Sequence, residues 1–301
     1  MTASWLVAVN PTSGRGRGAR WGREAVQLLR ERGVDVRVMI AESAECLEQQ
    51  CADALREGSD GLVVVGGDGM AHLGVNLAAA AGVPLGIVPA GTGNDFARHL
   101  ELPRGDVPAA VDVVLHGITR TVDLGRLEES GRRFACVLST GFDAAVNARA
   151  NRLGWPSGRS RYHVAMVAEL RAFRPTPLVV EVDGVSHEHR AMLVAVGNAR
   201  SYGGGMRICP GADLTDGLLD VTVVDEISVL ELLRLFPRVY SGRHVDHPQA
   251  YVYRGARVTV RPAAPGEVST PAFADGEQVS TLPVTATCEP GALQVRVPPL
   301  P

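Results

Sequence analysis

The sequence predicts an α/β domain with a mostly parallel sheet, followed by a β-rich, antiparallel, sandwich-like domain. Up to about residue 122, short apolar runs alternate with segments of helical periodicity, and glycine-rich turns join them. This alternation is typical of βαβ units that build a parallel sheet. From residue 121 the chain changes to short runs rich in β-branched residues, which are typical of antiparallel strands. A chain of 301 residues is long enough for both domains.

The first predicted domain spans residues 1–122. Its strands are short runs rich in valine, leucine and isoleucine, and its helices carry apolar residues at three- and four-residue spacing. We expect strands near residues 4–9, 35–40, 61–65 and 84–88, and helices near 19–32, 45–57, 70–81, 93–99 and 107–116.

The second predicted domain spans residues 123–289. We expect strands at 134–139, 178–182, 191–196, 219–224, 256–260 and 283–287, with helical insertions near 160–173 and 228–241. The boundary near residues 121–123 has no long flexible linker, so we expect a well-defined cleft between the two domains.

Composition limits the classes of function. Hydrophobic residues make up 46% and charged residues 21% of the chain, which is ordinary for a globular protein. The net charge of −3 offers no global basic field for nucleic acid. The five cysteines are odd in number and lie outside C-x-x-C spacing, which argues against a disulfide framework and a zinc site. We expect them to be small buried hydrophobic side chains.

The chain shows no signal for secretion or for a membrane span. The N-terminus lacks a basic segment followed by an apolar one, and no uncharged apolar run approaches the roughly 18 to 20 residues that span a bilayer. We therefore expect a cytoplasmic protein. All 30 basic residues are arginine, which excludes chemistry that depends on lysine.

A glycine-rich turn follows the strand predicted at 61–65. Gly66, Gly67 and Gly69 surround the carboxylate of Asp68, and glycine lets backbone amides approach a phosphate while a carboxylate can bind magnesium. A simple tight turn, in which Asp68 accepts backbone hydrogen bonds, remains the alternative.

A second turn of this kind follows the next strand. The segment PAGTGND contains Gly91, Thr92, Asn94 and Asp95, and two such turns after neighbouring parallel strands should face one crevice. The helix that follows would present its N-terminus to an anion, or Asp95 would only cap that helix.

The first strand also ends in a polar turn, NPTSG. Its amides and the Ser13 hydroxyl are expected to contact phosphate, and Arg15 follows to neutralise charge. Without lysine, backbone amides, arginine and a divalent cation must stabilise a polyphosphate. A plain turn after an edge strand is the alternative.

Two carboxylates three residues apart, Asp213 and Asp216, precede Gly217 and the Leu218 carbonyl. Oxygen ligands suit Mg²⁺ or Ca²⁺ more than zinc, and a surface β-turn is the alternative. For His244 and His247 we favour a structural or substrate-cleft role over zinc, since no acidic motif adjoins them.

The NPTSG, GGDG and PAGTGNDFAR segments, in this order and spacing, resemble the diacylglycerol kinase catalytic family. That family includes bacterial diacylglycerol kinases, sphingosine and ceramide kinases and related bacterial lipid kinases. The resemblance extends over nearly the whole chain through five further segments: 123–125, 140–144, 203–206, 213–220 and 275–277.

The resemblance implies a lipid kinase that uses ATP and Mg²⁺, with diacylglycerol as the leading substrate and phosphatidic acid as product. It assigns Glu277 as general base, Asp68, Asp95 and Asp123 to the catalytic network, and Asp213, Asp216 and the Leu218 carbonyl to a structural magnesium. It also implies that the tail, about residues 290–301, returns to the first domain. The implied nucleotide-binding residues are Asn10, Pro11, Thr12, Ser13, Gly14, Arg15, Gly66, Gly67, Asp68, Gly69, Met70, Gly91, Thr92 and Asn94.

Two positions depart from the family pattern. Met70 stands where threonine is usual and His72 where asparagine is common, so a noncatalytic nucleotide or lipid sensor stays open as an alternative. A kinase that acts on sphingoid bases, ceramide or glycolipids also stays open, as does an NAD kinase. We expect a peripheral contact with membrane lipid, with residues 155–162 as a candidate surface. A homodimer also remains open.

Overall fold

The computed structural model describes residues 4–141, 149, 175–264 and 270–299. The chain divides into two compact units, Met1–Val122 with Gly291–Pro301, and Asp123–Pro290. The predicted helix near 160–173 and the candidate lipid contact at 155–162 lie outside the described residues. Within the described residues, no helix combines the length and apolar character that a membrane crossing requires.

The first unit contains the predicted parallel sheet. Its strands are β1 (Ser4–Val9), β2 (Asp35–Met39), β3 (Gly61–Gly66) and β4 (Leu85–Pro89). They lie in the order β4, β3, β1, β2, and Val295 in the C-terminal tail pairs in parallel with Leu85 of β4. The α/β fold with a parallel sheet is therefore confirmed.

The helices of the first unit are α1 (Ser13–Glu31), α2 (Ala44–Arg56), α3 (Asp68–Ala81), α4 (Asp95–His99) and α5 (Val107–His116). The Ser43 side chain caps α2 by accepting from the Cys46 N–H, and Asp106 caps α5 through the Ala109 N–H. Valines of β1 and β3 pack against Trp21 and Leu29 of α1 and against α5, which forms the core of this unit.

Helix α1 begins at Ser13, six residues before the predicted start near residue 19, which corrects that expectation. Glycine disfavours helix interiors, yet the glycine-rich stretch 14–18 lies within the first turns of α1. Two glycines of α1 instead permit close packing: a Cβ on Gly18 would overlap the Asn10 carbonyl oxygen, and one on Gly22 would overlap Val9. Their small size lets α1 lie directly against the end of β1.

The second unit is built from antiparallel strands, as predicted. After β5 (Ile118–Leu127), which begins in the first unit, the strands are β6 (Arg133–Phe134), β7 (Val137–Gly141), β8 (Thr176–Val182), β9 (Val185–Gly197), β10 (Leu219–Asp225), β11 (Ala250–Gly255), β12 (Arg257–Pro262), β13 (Pro271–Ala274), β14 (Glu277–Thr281) and β15 (Val284–Val297). Helix α6 (Val229–Val239) and a 3₁₀ turn (Arg243–Asp246) lie between β10 and β11.

The strands of this unit pair in the order β14, β13, β7, β9, β8, β12, β15. Strand β10 also pairs with β9, and β11 pairs with β10. Their inward side chains form one apolar cluster around Phe134, Leu178 and Leu219. The strand predicted at 134–139 is split in two. The backbone N–H groups of Ala135 and Cys136 donate to the Asp275 carboxylate and not to a strand partner, which ends the ladder there.

All five cysteines are free thiols. Four of them are buried, while Cys46 is exposed on α2, so the expectation that all five are buried is wrong for that residue. Burial raises the pKa of Cys51 to about 11 and that of Cys209 to about 12. These two side chains therefore stay protonated and pack as small hydrophobic groups.

Candidate functional site

Three turns follow the carboxyl ends of adjacent strands in the first unit. We name them loop 1 (residues 10–14, after β1), loop 2 (residues 66–69, after β3) and loop 3 (residues 89–95, after β4). Because β1 pairs with β3 and β3 with β4, the three loops emerge side by side at one edge of the sheet. This is the arrangement expected for turns after neighbouring parallel strands.

The glycines of these loops mark direct backbone contacts. A Cβ on Gly91 of loop 3 would overlap the Cα of Gly67 in loop 2. A Cβ on Gly14, whose φ is +59°, would overlap the carbonyl oxygen of Ala90, and one on Gly66 would lie 3.1 Å from the Ser13 hydroxyl. Each loop therefore touches another, and together they form a continuous backbone surface.

Asp68 links loop 2 to loop 3. Its Oδ2 accepts from the Asn94 N–H at 2.9 Å, and its Oδ1 accepts from the Asp95 N–H at 2.6 Å. Gly93 must be glycine here, because a Cβ would overlap the carboxylate. A carboxylate has about four acceptor positions, so these bonds are compatible with a metal contact.

Asn94 shapes loop 3 and begins the next helix. Its side chain accepts from the Gly91 N–H and donates to the Gly91 carbonyl, and its φ is +54°. Asp95 is buried and is the first residue of α4, with Arg98 Nε 4.0 Å from its Oδ1. Asn94 occupies the cap position, so the alternative that Asp95 caps α4 does not match the structure.

Loop 1 is stabilised by its own side chains. Asn10 Oδ1 accepts from both the N–H and the hydroxyl of Thr12. Arg17 donates to the Gly14 carbonyl at 2.9 Å and lies over the Trp21 ring, so a guanidinium is held next to the loop. The Arg15 side chain lies outside the described part of the structure.

The two positions that depart from the family pattern are both buried on α3. Met70 is 5% exposed and lies against Gly66, where a Cβ would overlap its side chain. His72 is buried two residues further along the helix, and its carbonyl accepts from Asn76. The Met70 side chain therefore packs against loop 2 at Gly66 through apolar contact. The Met70 backbone belongs to the first turn of α3.

A groove of about 570 Å³ lies beside loop 1, between α1 and the end of β2. Its walls include Val9, Pro11 and Val26 together with the side chains of Arg23 and Arg30. The groove can therefore take an apolar group next to the polar backbone of loop 1.

In the second unit, a two-residue turn carries Glu277. Asp275 and Gly276 join β13 to β14 with φ values of +52° and +90°, the geometry of a tight hairpin turn. The Asp275 carboxylate accepts three backbone N–H groups, from Ala135 at 2.9 Å, Cys136 at 2.9 Å and Val137 at 3.2 Å. Glu277 begins β14 and is exposed, so a firmly held turn presents a carboxylate to solvent.

Asp123 anchors the acidic turn of residues 213–218. It is 4% exposed, its Oδ2 accepts from the Gly217 N–H at 2.7 Å, and its own N–H donates to the Leu214 carbonyl at 2.7 Å. Asp123 and this turn belong to the second unit, whereas Asp68 and Asp95 belong to the first.

The acidic turn offers oxygen ligands, but the guanidinium of Arg254 already pairs with one of its carboxylates. Asp213 Oδ1 accepts from the N–H and hydroxyl of Thr215, and Asp216 Oδ1 accepts from the Leu218 N–H. Arg254 forms an ion pair with Asp216, and its Nε lies 3.3 Å from Asp220. The oxygen donors fit magnesium in kind, and an ion bound there would compete with the Arg254 guanidinium for Asp216.

Sequence reasoning missed Asn198, which is fully buried at the end of β9. Its side-chain amide donates to the carbonyls of Asp123 and Ala135, both at 2.9 Å. It therefore connects the anchor of the acidic turn to the segment that binds Asp275. A single polar residue after the apolar run 191–197 was the only signal in the sequence.

The two histidines make separate contacts. His244 is buried and its Nε2 lies 3.1 Å from the Ile208 carbonyl, and burial lowers its pKa. His247 accepts from the Gln249 N–H. Over the ranges that the structure describes, no three His, Cys, Asp or Glu side chains form a group that could hold a metal. The structural role predicted for His244 matches its burial.

Two family models match the chain. The diacylglycerol kinase catalytic domain matches residues 4–127, and the YegS C-terminal NAD kinase beta sandwich-like domain matches residues 136–297. A diacylglycerol kinase of Mycobacterium tuberculosis is 42% identical over 293 residues, which cover 96% of this chain and 93% of that protein. A diacylglycerol kinase of Bacillus subtilis is 28% identical, covering 92% of this chain and 90% of that protein.

Solved structures share the fold. A diacylglycerol kinase from Bacillus anthracis str. Sterne superposes with a TM-score of 0.72 at 19% identity, covering 98% of this chain and 96% of that one. Another crystal structure from the same organism gives a TM-score of 0.80 at 20% identity, with 98% and 95% coverage. At this level of identity the likeness concerns the fold alone.

Proposed function

Because this chain belongs to the diacylglycerol kinase catalytic domain family and is a lipid kinase, we propose that it transfers the γ-phosphate of ATP to the free hydroxyl of diacylglycerol. The products would be phosphatidic acid and ADP. The observation that carries the proposal is 42% identity to a diacylglycerol kinase over 96% of the chain. The family implies ATP as phosphate donor, and the similarity to a diacylglycerol kinase implies diacylglycerol as acceptor.

The backbone surface of loops 1, 2 and 3 is proposed to hold the triphosphate. Glycines at the loop contacts leave the backbone amides free of Cβ atoms. Loop 2 also leads into the first turn of α3, where backbone N–H groups favour an anion. Arg17, held beside loop 1, adds positive charge. Lysine is absent, so amides and arginine supply the phosphate contacts.

Asp68 is proposed to hold the Mg²⁺ of the Mg·ATP complex, with Asp95 nearby through the shared hydrogen bond. A magnesium ion bound there would offset the charge that develops on the transferred phosphoryl group. The Asn94 and Asp95 N–H groups fix the Asp68 carboxylate in one orientation. Orienting a ligand in this way lowers the cost of binding the ion.

Glu277 is proposed as the general base. It would take the proton of the lipid hydroxyl while that oxygen forms a bond to the γ-phosphorus, and the bond from phosphorus to the leaving ADP oxygen breaks. Asp275 is proposed as a positioning residue, because its three backbone hydrogen bonds fix the turn from which Glu277 projects.

Asp213, Asp216 and the Leu218 carbonyl remain the proposed ligands of a second, structural Mg²⁺. Asp123 would hold this turn in place through the Gly217 N–H. Binding would require Arg254 to leave or share the Asp216 carboxylate.

The test is an acceptor panel. The purified protein is incubated with labelled ATP, Mg²⁺ and separate dispersions of diacylglycerol, sphingosine, ceramide and a glycolipid, and with NAD in solution. Label in phosphatidic acid alone supports the proposal, and a chelator control should abolish it. Label in another acceptor would reassign the substrate. ATP binding without any labelled product would support a noncatalytic sensor instead.

A further inference from the structure

Helix α6 is apolar on the side that faces solvent. Its inward side chains Leu235 and Val239 are buried, as in an ordinary amphipathic helix. On the outward side, however, Leu230 is 57% and Leu233 is 47% exposed, and Val229 and Tyr240 are also exposed. A helix of a globular protein normally places polar residues on this side. Because these apolar side chains are exposed, none of the residues that the structure describes covers the outward face.

Arginines accompany the exposed leucines. Arg234 and Arg238 follow Leu230 by four and eight residues, which places them on the same outward half of the helix, and both are exposed. The one carboxylate of the helix, Glu231, accepts hydrogen bonds from the N–H and hydroxyl of Ser228 in a capping box. The outward face therefore combines leucine with net positive charge.

This combination fits the surface of an anionic bilayer. Leucine side chains enter the boundary between headgroups and acyl chains, while arginines at their flank contact lipid phosphates. A second copy of the chain fits less well, because a two-fold contact through this face would bring the arginines of the two copies together. Charge complementarity thus selects lipid over self-association.

We propose that the outward face of α6, formed by Leu230, Leu233, Arg234 and Arg238, docks the protein on anionic phospholipid bilayers. The proposal rests on the proposed function, since a kinase that acts on a bilayer lipid must reach the bilayer. It adds the surface that makes contact and the charge of the lipid that this surface prefers.

Vesicle binding tests the docking surface without any turnover. The full chain is sedimented with vesicles of phosphatidylcholine alone and with vesicles containing phosphatidylglycerol, in the absence of ATP. We expect binding that requires the anionic lipid and weakens with salt. Leu230→Ser with Leu233→Ser should reduce it by roughly tenfold or more, since each leucine loses burial of its side chain. Arg234→Gln with Arg238→Gln should remove the preference for anionic lipid.

Val185→Ser is the matched control, because Val185 is 58% exposed on β9 in the same unit and should leave binding unchanged. The substituted side chains are exposed, so melting temperatures should match the parent. Equal vesicle binding by the parent and both double variants would overturn the proposal. A second result would also overturn it: the parent does not bind vesicles but forms a dimer, and the leucine variant is a monomer.

Activity separates this proposal from the proposed function. The leucine variant should lose activity toward diacylglycerol in vesicles and keep it toward a short-chain, water-soluble diacylglycerol. Parent binding to vesicles with no kinase activity on any lipid would leave the docking surface standing and refute the function. An equal loss of activity on both forms of the substrate would overturn docking as the role of α6.

Discussion

The Asp95 N–H donates a 2.6 Å hydrogen bond to Asp68 Oδ1, which joins the turns after two neighbouring strands. Asn94 donates a second bond to Asp68 Oδ2 at 2.9 Å. One carboxylate thus fixes the relative position of loops 2 and 3, so its replacement should affect the fold of the loops and the bound nucleotide together.

We predict that Asp68→Asn weakens both ATP binding and turnover. An asparagine keeps one acceptor oxygen but turns an NH₂ group toward the second backbone N–H, and it loses the negative charge for magnesium. kcat/KM for ATP should fall by about 10² or more, and the free energy of unfolding by about 1–3 kcal/mol.

Calorimetric titration with Mg·ATP, steady-state kinetics and thermal melting check this prediction on one preparation. Asp106→Asn is the matched control, since Asp106 also accepts a backbone N–H but does so at the start of α5. Parent-like ATP affinity and turnover in Asp68→Asn would remove Asp68 from the nucleotide site.

We predict that Met70→Thr keeps or raises activity while lowering stability. The hydroxyl would lie at the base of loop 2, and one added charge-assisted hydrogen bond of about 1.4 kcal/mol corresponds to a tenfold gain. Met70 is buried against Gly66, so its truncation should cost about 2–5 kcal/mol of unfolding free energy.

Met70→Val separates the two effects, because valine has the shape of threonine without the hydroxyl. kcat/KM for ATP and the melting temperature are measured for both variants. If threonine abolishes ATP binding and valine retains it, loop 2 does not hold phosphate in the way proposed.

The sequence predicted that loops 2 and 3 meet, because turns after adjacent parallel strands share one edge of the sheet, and the family resemblance added loop 1 to the same site. It placed the start of α1 too late, because the NPTSG turn was expected to end before the helix, whereas Ser13 already begins α1 and Gly18 packs closely on the end of β1. Periodicity carries no information on such contacts.

Long-range polar contacts were beyond sequence reasoning. Asn198 binds carbonyls 75 and 63 residues away, and Asp275 binds amides about 140 residues away. The Arg254 partner of Asp216 is 38 residues distant. Local patterns identified the carboxylates as candidates, but only the folded chain shows which groups already satisfy them.

We predict that Arg254→Gln strengthens Mg²⁺ binding at the acidic turn. The guanidinium pairs with Asp216 and lies near Asp220, so its removal leaves carboxylates without their cation. Affinity for Mg²⁺ in the absence of ATP should rise by about tenfold, and the melting temperature should depend more on Mg²⁺ than in the parent.

Arg190→Gln serves as control, because Arg190 pairs with Glu226 elsewhere in the same unit. Titration calorimetry and melting curves with and without Mg²⁺ supply the measurements. Unchanged Mg²⁺ affinity in Arg254→Gln would argue that the turn is a surface β-turn held by arginine.

We predict that the Glu128–Arg257 pair adds stability only above acidic pH. Hydrogen bonds from Arg257 and Thr287 lower the pKa of Glu128 from 4.5 to about 2. A carboxyl whose pKa falls on folding stabilises the native state fully above its unfolded pKa, and this contribution disappears as the pH falls from about 4.5 to about 2.

Glu128→Gln should therefore reduce the free energy of unfolding at pH 7 by less than about 1 kcal/mol, because the pair is partly exposed to solvent. Urea denaturation at pH 7, 4 and 2.5 should show the difference from the parent shrinking toward zero. A difference that is equal at all three pH values would assign the effect to packing instead of charge. Glu188→Gln, an exposed change on β9, is the control.

We predict that Glu277→Gln lowers kcat by roughly 10² to 10⁴ and leaves ATP affinity nearly unchanged. Glutamine preserves the size of the side chain and cannot accept the proton of the lipid hydroxyl. Glu277 is exposed at the start of β14, so the melting temperature should match the parent. Asp275→Asn should lower kcat as well, since it disturbs three backbone hydrogen bonds that hold the turn, but it should also lower the melting temperature.

The two variants distinguish a base from the residue that positions it. Glu277→Gln should lower kcat alone, because only the base is lost, whereas Asp275→Asn should lower kcat together with the melting temperature, because the turn that holds the base is loosened. Steady-state kinetics, ATP titration and melting curves supply the three readouts. Parent-like turnover in Glu277→Gln with an unchanged melting temperature would reduce the glutamate to a hairpin residue, and the base would then be sought at Asp95 or Asp123.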